Sequence, residues 1–388
     1  MRLTLANHPV VRIAVWAVLF RILSAILAFL ANVAFPAYQP DQFTMFGQPN
    51  AFWDPFVRYD SGWYLGIART GYDSAPAVAG GRGNIAFFPV YPLLVRYVGR
   101  AFGRAPSDFL FGAILVAWIS FVLAAIALFY LARLDLPRRQ AERAVVLATV
   151  FPFAFFFGVA YSESTYLLFT VLAFYGFRTR RWELAGLCAA VATGTRVNAI
   201  MMWPALVWMA WRTAEPTGRD RLWAAAALVL VACGFGSYCF YIYQETGNPL
   251  LWASALSRWD YYPGGAPWTA PLRLIGRLVT DPYQYLAGDP MAPYDTLNGL
   301  VSMLFLTAIP FVWRQFGAGY GFFMLANLWL PLSSGDFEGL GRYCAVLFPV
   351  FIWLADIRSR EISTTLVVVF AMFYTLCLAL FTTLHPLF

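Results

Sequence analysis

The chain has 388 residues, of which 61% are hydrophobic and 12% charged, with a formal net charge of +7. An ordinary globular domain carries about a quarter charged residues, so this composition argues against a soluble protein and excludes disorder. The mean hydropathy of +0.63 indicates one membrane domain over residues 1–388. All 27 basic residues are arginine, whose planar guanidinium fits phosphate with two parallel hydrogen bonds.

The cysteines and histidines form no cluster with metal-ligand spacing. The five cysteines lie in apolar segments without a CxxC pair, and the only histidines are His8 and His385. A zinc site or a disulfide framework is therefore not expected. The first apolar stretch runs to about Ala34 without a small-residue cleavage site, so it predicts a spanning helix rather than a removed signal peptide.

Apolar segments long enough to cross ~30 Å of hydrocarbon recur along the chain and predict an all-α polytopic membrane protein. The stretch 183–211 divides best into two short helices near Thr193–Asn198. With these two, we expect about 11 transmembrane helices. The other spans are expected at 11–34, 109–132, 144–160, 162–177, 222–243, 297–313, 317–332, 343–355 and 362–384.

The distribution of charge predicts the orientation. With the N-terminus in the cytoplasm, the short inside segments hold 15 arginines in fewer than 50 residues. The outside segments 35–108, 244–295 and 333–342 hold 10 arginines in 136 residues, together with 12 of the 20 acids. Cytoplasmic loops carry the excess of positive charge, so the two long loops, 35–108 and 244–295, are expected on the extracytoplasmic side.

Both long loops combine aromatic residues with acids, as in FWDPFVRYDSGWYLGIARTGYD of the first loop. Trp and Tyr at such positions also form the interfacial belt of membrane proteins. A belt does not require clustered acids, however, whereas aromatic faces beside carboxylates commonly line a sugar site. Arg58, Trp63 and Tyr64 are therefore candidate substrate-binding residues.

Asp60 in RYDSGWYL is the first candidate catalytic residue. The apolar spacing after it predicts a short helix at the membrane surface, with Asp60 at or near the N-cap. Asp60 then either only caps this helix or acts as the general base that takes a proton from an acceptor hydroxyl. Asp54 in FWDP is a weaker alternative, since Pro55 after it indicates a turn or an N-cap.

The stretch NIAFFPVYPLLVR contains two prolines three residues apart, which cannot lie inside a helix without breaking it. Pro89 and Pro92 therefore predict a rigid extended entry, followed by a helix from Leu93 onward. We interpret this segment as structural.

The sequence VAYSES places Tyr161, Ser162 and Glu163 where one span ends outside and the next begins. Ser162 is predicted to be a helix N-cap, so the Glu163 carboxylate benefits from the helix dipole. Glu163 then either has a structural role or lines the same cavity as Asp60.

Three arginines lie within spans or at their ends, where an ionisable group is costly and is usually paired or functional. We interpret Arg21 in the first span and Arg196 in TGTRVNA mainly as structural residues, with pairing to Glu163 or contact with a lipid phosphate as alternatives. Arg342 precedes Tyr343 at the outer start of a span, behind a glycine-rich turn. It either clamps a lipid phosphate or snorkels to the headgroup region.

Five of these stretches occur in the order found in the PIG-V family, the second mannosyltransferase of glycosylphosphatidylinositol anchor assembly, and its bacterial relatives. They are VLFRIL, RYDSGWYLGIARTGYD, AFFPVYPLL, VAYSES and TGTRVNA, and they cover roughly residues 12–200. The chain therefore resembles this family, which belongs to the GT-C class of multi-spanning transferases. The C-terminal half matches mainly by hydropathy and by the GRY…FP stretch. One departure is RYD in place of the WD more usual in eukaryotic members.

The resemblance implies a glycosyltransferase that moves a hexose, mannose in this family, from a polyprenyl-phosphate donor to an extracytoplasmic lipid or glycan acceptor. In the GT-C class the catalytic acid lies in the first outer loop, which corresponds to Asp60. Inversion with one base is then expected, with Arg342 as the first candidate to stabilise the leaving phosphate, and Tyr161, Glu163 and Tyr343 as further binding residues. No cofactor and no divalent metal is expected, since the donor is a monophosphate.

A polytopic transporter or flippase for a lipid-linked saccharide is the alternative function, and a membrane scaffold is a third. Many transporters have repeated halves with helices broken at matching positions, and the first long loop has no such counterpart in this sequence. The unequal outer loops favour an enzyme. The basic, lysine-free composition indicates a bacterial multi-pass protein of the inner membrane, with membrane lipids as partners and no role for nucleic acid.

Overall fold

The computed structural model describes residues 8–38, 50–73, 83–257 and 264–387. Within these ranges the chain is helical and contains no β-strand, as predicted. The α-helices are α1 (Pro9–Ala34), α2 (Ser61–Thr70), α3 (Val90–Phe102), α4 (Pro106–Ala132), α5 (Arg138–Val150), α6 (Glu163–Arg178), α7 (Trp182–Thr193), α8 (Trp203–Thr213), α9 (Gly218–Thr246), α10 (Leu251–Ser257), α11 (Thr269–Thr280), α12 (Pro282–Gly288), α13 (Ala292–Phe316), α14 (Ala318–Leu332), α15 (Leu340–Ala345), α16 (Pro349–Ala355) and α17 (Arg360–Thr382). Short 3-10 helices cover Asp54–Phe56, Asn84–Ala86, Ala154–Phe157 and Val197–Met202.

Five of the described helices are long and apolar enough to cross a membrane, namely α1, α4, α9, α13 and α17. Helices α7 and α14 are apolar but shorter. A chain with this many apolar helices is an integral membrane protein. The count of about 11 spans stays a prediction, because the remaining apolar segments form short or interrupted helices.

Two expected spans are interrupted next to a proline, so the prediction of a continuous helix was wrong for both. Helix α5 ends at Val150, because Pro152 cannot continue a helix and forces the residue before it toward an extended conformation. The expected span 343–355 is divided between α15 and α16. Pro349 lacks the N–H that would continue α15, and it is the first residue of α16.

The break predicted near Thr193–Asn198 is confirmed. Helix α7 ends at Thr193, a 3-10 segment follows, and α8 begins at Trp203. Arg196 lies in this break, directly before the 3-10 segment.

The extended entry predicted around Pro89 and Pro92 was wrong in its extent. Helix α3 begins at Val90, three residues before the predicted start, so Pro92 lies in its first turn. The N–H groups of a first turn have no helical partner, and proline is tolerated there.

The segment 151–162 is buried at the centre of the molecule although it is not a continuous helix. Its five phenylalanines, each at most 1% exposed, are Phe151, Phe153, Phe155, Phe156 and Phe157. Buried backbone carbonyls need donors, and other helices supply them. The Arg21 guanidinium donates to the Ala154 carbonyl at 3.2 Å, and the Trp118 indole donates to the Gly158 carbonyl at 3.0 Å. These contacts hold the segment that leads into α6, whose first residue is Glu163.

Candidate functional site

Helix α2 begins directly after Asp60, as predicted, but the Asp60 side chain makes no capping hydrogen bond. Instead its carboxylate accepts from the Arg342 guanidinium, with an Nη1–Oδ2 distance of 2.5 Å. The two residues are 282 positions apart in the sequence. The structure therefore brings together the candidate base and the candidate phosphate ligand.

The turn that presents Asp60 is strained and held from several sides. Tyr59 has a φ of 52°, in the left-handed region that a bulky residue rarely adopts. The Tyr161 hydroxyl donates to the Arg58 carbonyl and accepts from the Asp60 amide, at 3.2 Å in each case. The Tyr59 hydroxyl donates to the His385 carbonyl at 2.7 Å. Strain of about 1–3 kcal/mol persists only where the surroundings impose it, so these contacts set the direction of Asp60.

A second ion pair lies behind the first, between Arg196 and Glu163. The side chains of Asp60 and Arg342 are each 17% exposed, whereas those of Arg196 and Glu163 are 8% and 0% exposed. The Arg342 Nε lies 3.8 Å from Glu163 Oε1, so the four residues form one charge cluster. This charge cluster has an accessible end at Asp60 and Arg342 and a closed end at Glu163 and Arg196.

Amide and aromatic groups support the closed end. The Arg196 Nε donates to Asn198 Oδ1 at 3.3 Å, and Asn198 donates to Asn327 Oδ1 at 3.0 Å. The Arg196 guanidinium also lies 5.2 Å from the centre of the Tyr343 ring, a cation–π contact. Asn327 was not predicted, although a single amide inside an otherwise apolar segment could have indicated it.

Breaking the buried pair is expected to destabilise the protein strongly. Glu163→Gln leaves the Arg196 charge buried without its carboxylate, and Arg196→Met leaves the Glu163 charge buried, each at a cost of about 3–5 kcal/mol. The double variant Glu163→Gln/Arg196→Met removes both charges and is expected to regain most of this loss. Denaturant unfolding in detergent measures all three. Additive losses in the double variant would show that the two charges are not coupled.

The glycine-rich turn before α15 positions Arg342. Gly339 has a φ of 69°, which favours glycine. A Cβ at Gly341 would overlap the Phe153 ring, and the Gly341 amide donates to Asn298 Oδ1 at 2.7 Å. The backbone can therefore approach the aromatic core closely and direct the next side chain toward Asp60.

Gly341→Ala is expected to lower stability by about 1–3 kcal/mol, because the added methyl group overlaps Phe153 and displaces α15. Gly236→Ala is the matched control, since Gly236 lies in α9 with open space around it and alanine favours a helix. Thermal unfolding of both variants in detergent tests this. An unchanged unfolding midpoint for Gly341→Ala would show that the turn does not need glycine.

Two of the aromatic residues predicted around Asp60 lie on α2. The Tyr64 hydroxyl shares a hydrogen bond with Ser162 Oγ at 2.9 Å. Ser162 occupies the predicted N-cap position of α6, but its side chain makes no capping hydrogen bond. Burial raises the pKa of Tyr64, and the Glu163 carboxylate adds to the shift, so this hydroxyl stays protonated. Trp63 stacks on Phe87, with ring centres 6.0 Å apart.

Arg58 and Arg21 connect helices. The Arg58 guanidinium donates to the Thr382 carbonyl at 3.0 Å and to Asn32 Oδ1 at 2.9 Å, joining the first loop to α17 and α1. The Arg21 guanidinium lies 4.4 Å from the centre of the Phe121 ring in addition to its bond to the buried turn. These contacts support the structural interpretation of Arg21. The predicted substrate-binding role of Arg58 stays a prediction.

Asp54, the weaker candidate base, accepts a hydrogen bond from the Asn50 amide at 2.8 Å. This contact closes the turn that Pro55 predicted. Within the described ranges, no group of three or more His, Cys, Asp or Glu residues is arranged to hold a metal ion.

Two buried polar atoms of the charge cluster have no hydrogen-bond partner in the described part of the chain, Arg342 Nε and Glu163 Oε2. Buried polar groups are usually paired, so such atoms often mark a ligand or water position. Burial lowers the pKa of Arg342, but the Asp60 and Glu163 carboxylates outweigh this and raise it well above its ordinary value. An anion that reaches the accessible end would therefore meet a charged guanidinium.

Solved structures that are similar to this chain include ArnT and an archaeal oligosaccharyltransferase. ArnT from Cupriavidus metallidurans, bound to undecaprenyl phosphate, matches with a TM-score of 0.50 at 13% identity, covering 96% of this chain and 76% of ArnT. The Archaeoglobus fulgidus oligosaccharyltransferase tethered to an acceptor peptide gives a TM-score of 0.47 at 12% identity, covering 96% of this chain. This chain spans 55% of the length of that oligosaccharyltransferase. The ArnT match supports a GT-C-type fold.

No curated protein matches the chain at a significant level. The sequence model described as Mannosyltransferase (PIG-V) matches residues 10–212, more than half of the chain. The chain belongs to the PIG-V mannosyltransferase family, which confirms the resemblance seen in its motifs. The matched region contains Asp60, Glu163 and Arg196 but ends before Arg342.

Proposed function

We propose that this chain is a glycosyltransferase that moves a hexose, mannose by family membership, from a polyprenyl-phosphate donor to an acceptor hydroxyl outside the cytoplasm. The observation that carries the proposal is the contact between one carboxylate and one guanidinium, Asp60 and Arg342, at the accessible end of the charge cluster. Membership of a mannosyltransferase family and the undecaprenyl phosphate bound to ArnT support the class of donor.

Asp60 acts as the general base in this proposal. The acceptor O–H gives its proton to the Asp60 carboxylate while its oxygen attacks the anomeric carbon from the face opposite the phosphate. The bond between that carbon and the phosphate oxygen breaks, and its electron pair leaves with the lipid phosphate. The configuration inverts, so a β-linked donor gives an α-linked product.

Arg342 stabilises the leaving phosphate, which gains a second negative charge as the bond breaks. Once Asp60 takes up the proton it no longer holds Arg342 by charge, so the guanidinium becomes free to pair with the phosphate. Glu163 and Arg196 keep the closed end of the charge cluster neutral and hold Arg342 in place. Proton uptake by the base and charge development on the leaving group are thereby linked through one side chain.

The proposal needs neither metal nor cofactor, because the donor is a phosphodiester with a single phosphate between the sugar and the lipid, not a pyrophosphate. The arginine distribution supports a cytoplasmic N-terminus and a site on the extracytoplasmic side of a bacterial inner membrane. Membrane lipids and an extracytoplasmic lipid or glycan acceptor are the partners.

A transfer assay with the purified full chain tests this function. The chain in detergent receives polyprenyl-phosphate mannose and the lipid and glycan fractions of a strain that lacks the protein. We expect mannose in a new product and an equal amount of free polyprenyl phosphate. A transporter or flippase would release neither, so a folded chain that forms no product with either fraction would refute the proposal.

A further inference from the structure

A second charged region lies at the opposite end of α2 from Asp60. Arg69, Arg100 and Arg104, together with Thr70 and Phe109, line a cavity of about 450 Å³. Helix α2 has 10 residues, so the cavity lies roughly 13 Å from the charge cluster along the helix. The cavity is therefore separate from the charge cluster.

The three guanidiniums of this cavity have no carboxylate partner in the part of the chain that the structure describes. No acid lines the cavity in the described ranges. Asp108, the acid nearest to Arg104 in sequence, accepts from the Ala105 amide at 2.8 Å and so serves the start of α4. Like charges repel one another, and an anion between three guanidiniums removes that repulsion and accepts their hydrogen bonds.

The walls of the cavity are fixed to each other. Arg96 donates from Nε to the Ala68 carbonyl at 2.8 Å and from Nη2 to the Ile67 carbonyl at 2.7 Å. These carbonyls belong to the last turns of α2, while Arg96 lies one turn before Arg100 on α3. Arg69 and Arg100 therefore lie on two helices that are joined by hydrogen bonds.

The position of the cavity relative to the membrane favours a lipid as its ligand. Arg104 precedes by two residues the membrane-length helix α4, which starts at Pro106, so the cavity lies at the edge of the hydrocarbon region. Beside it, Phe102 and Phe111 are 56% and 41% exposed and pack edge to face at 4.8 Å. A basic cavity next to an exposed apolar surface suits a ligand that has both a phosphate and acyl chains.

We propose that this cavity binds the phosphate of an anionic lipid headgroup, with the acyl chains lying against Phe102 and Phe111. The inference does not depend on the transferase activity, since it concerns binding at a separate site. A lipid held there anchors the C-terminal end of α2 to the membrane surface, and Asp60 lies at the other end of the same helix.

Native mass spectrometry of the full chain in detergent, titrated with phosphatidylglycerol or with zwitterionic phosphatidylcholine, tests the proposal. The variant Arg69→Gln/Arg100→Gln/Arg104→Gln is expected to bind phosphatidylglycerol roughly a hundredfold more weakly, because each arginine near a surface contributes about a fivefold gain for an anionic lipid. All three positions are exposed, so the variant is expected to fold. The matched control removes the same charge elsewhere through Arg219→Gln/Arg221→Gln/Arg314→Gln and should bind as the unmodified chain does.

Arg342→Gln separates the two sites, since it should leave phosphatidylglycerol binding at this cavity unchanged. Retention of phosphatidylglycerol by the triple variant of the cavity, or an equal loss in the control, would overturn the proposal. Equal binding of phosphatidylcholine would do the same. Displacement of the lipid by inorganic phosphate at a similar concentration would assign the cavity to a soluble anion and also overturn the lipid assignment.

Discussion

Asp60→Asn is expected to reduce transfer roughly a thousandfold while the protein keeps its fold. A general base contributes a factor of about 10²–10⁴ to a rate. The asparagine amide cannot take up the proton of the acceptor hydroxyl. Asp60→Glu keeps the carboxylate but moves it by one methylene, and a displacement of about 1 Å costs roughly a hundredfold. The expected order of rates is therefore the unmodified chain, then the glutamate variant, then the asparagine variant.

Two controls accompany this measurement, with initial rates at saturating donor as the readout. Asp73→Asn changes an exposed acid of the same loop and should keep the rate. Asp54→Asn tests the alternative base, whose carboxylate already accepts from the Asn50 amide. A folded Asp60→Asn variant that transfers sugar at the normal rate would remove Asp60 from the mechanism, most clearly if Asp54→Asn were inactive.

Arg342→Gln should lower kcat/KM for the donor by roughly 10²–10³, as expected for loss of one charged donor to a developing anion. The phosphate charge grows in the transition state, so kcat should fall more than the KM for the donor rises. The KM for the acceptor should change little. Arg342→Lys keeps a positive charge without the two-pronged geometry and should recover part of the activity.

Arg277→Gln is the control for Arg342. Arg277 is half exposed, with an Nη1–Oδ2 distance of 3.9 Å to Asp289 and a cation–π distance of 5.2 Å to the centre of the Tyr285 ring. It should keep its donor kinetics. Unchanged donor kinetics in Arg342→Gln would place the phosphate elsewhere, and an equal change in the acceptor KM would indicate general damage to the site.

Local features of the site could be predicted from the sequence. The apolar spacing after Asp60 indicated α2, and the mixed polarity of TGTRVNA indicated the break before Arg196. Both depend on near neighbours in the chain, where helix periodicity and capping preferences act directly.

The pairing of charges could not be predicted in the same way. The sequence offers 27 arginines as possible partners of Asp60, and nothing in a single sequence selects one that lies 282 positions away. The strained conformation of Tyr59 could not be predicted either. It is imposed by contacts with Tyr161 and His385, and these contacts form only in the folded chain. The prediction of a continuous helix over 144–160 was wrong for a related reason. Apolar composition does not distinguish a helix in lipid from the phenylalanine-rich turn that is buried at the centre of this fold.

The position of the donor phosphate tests the central claim most directly. Cryo-electron microscopy of the full chain with polyprenyl phosphate would locate it, and the Arg69→Gln/Arg100→Gln/Arg104→Gln variant removes competition from the second cavity. We predict that the phosphate lies within hydrogen-bond distance of Arg342, about 3 Å. A phosphate bound elsewhere, with the contact between Asp60 and Arg342 intact, would contradict the account.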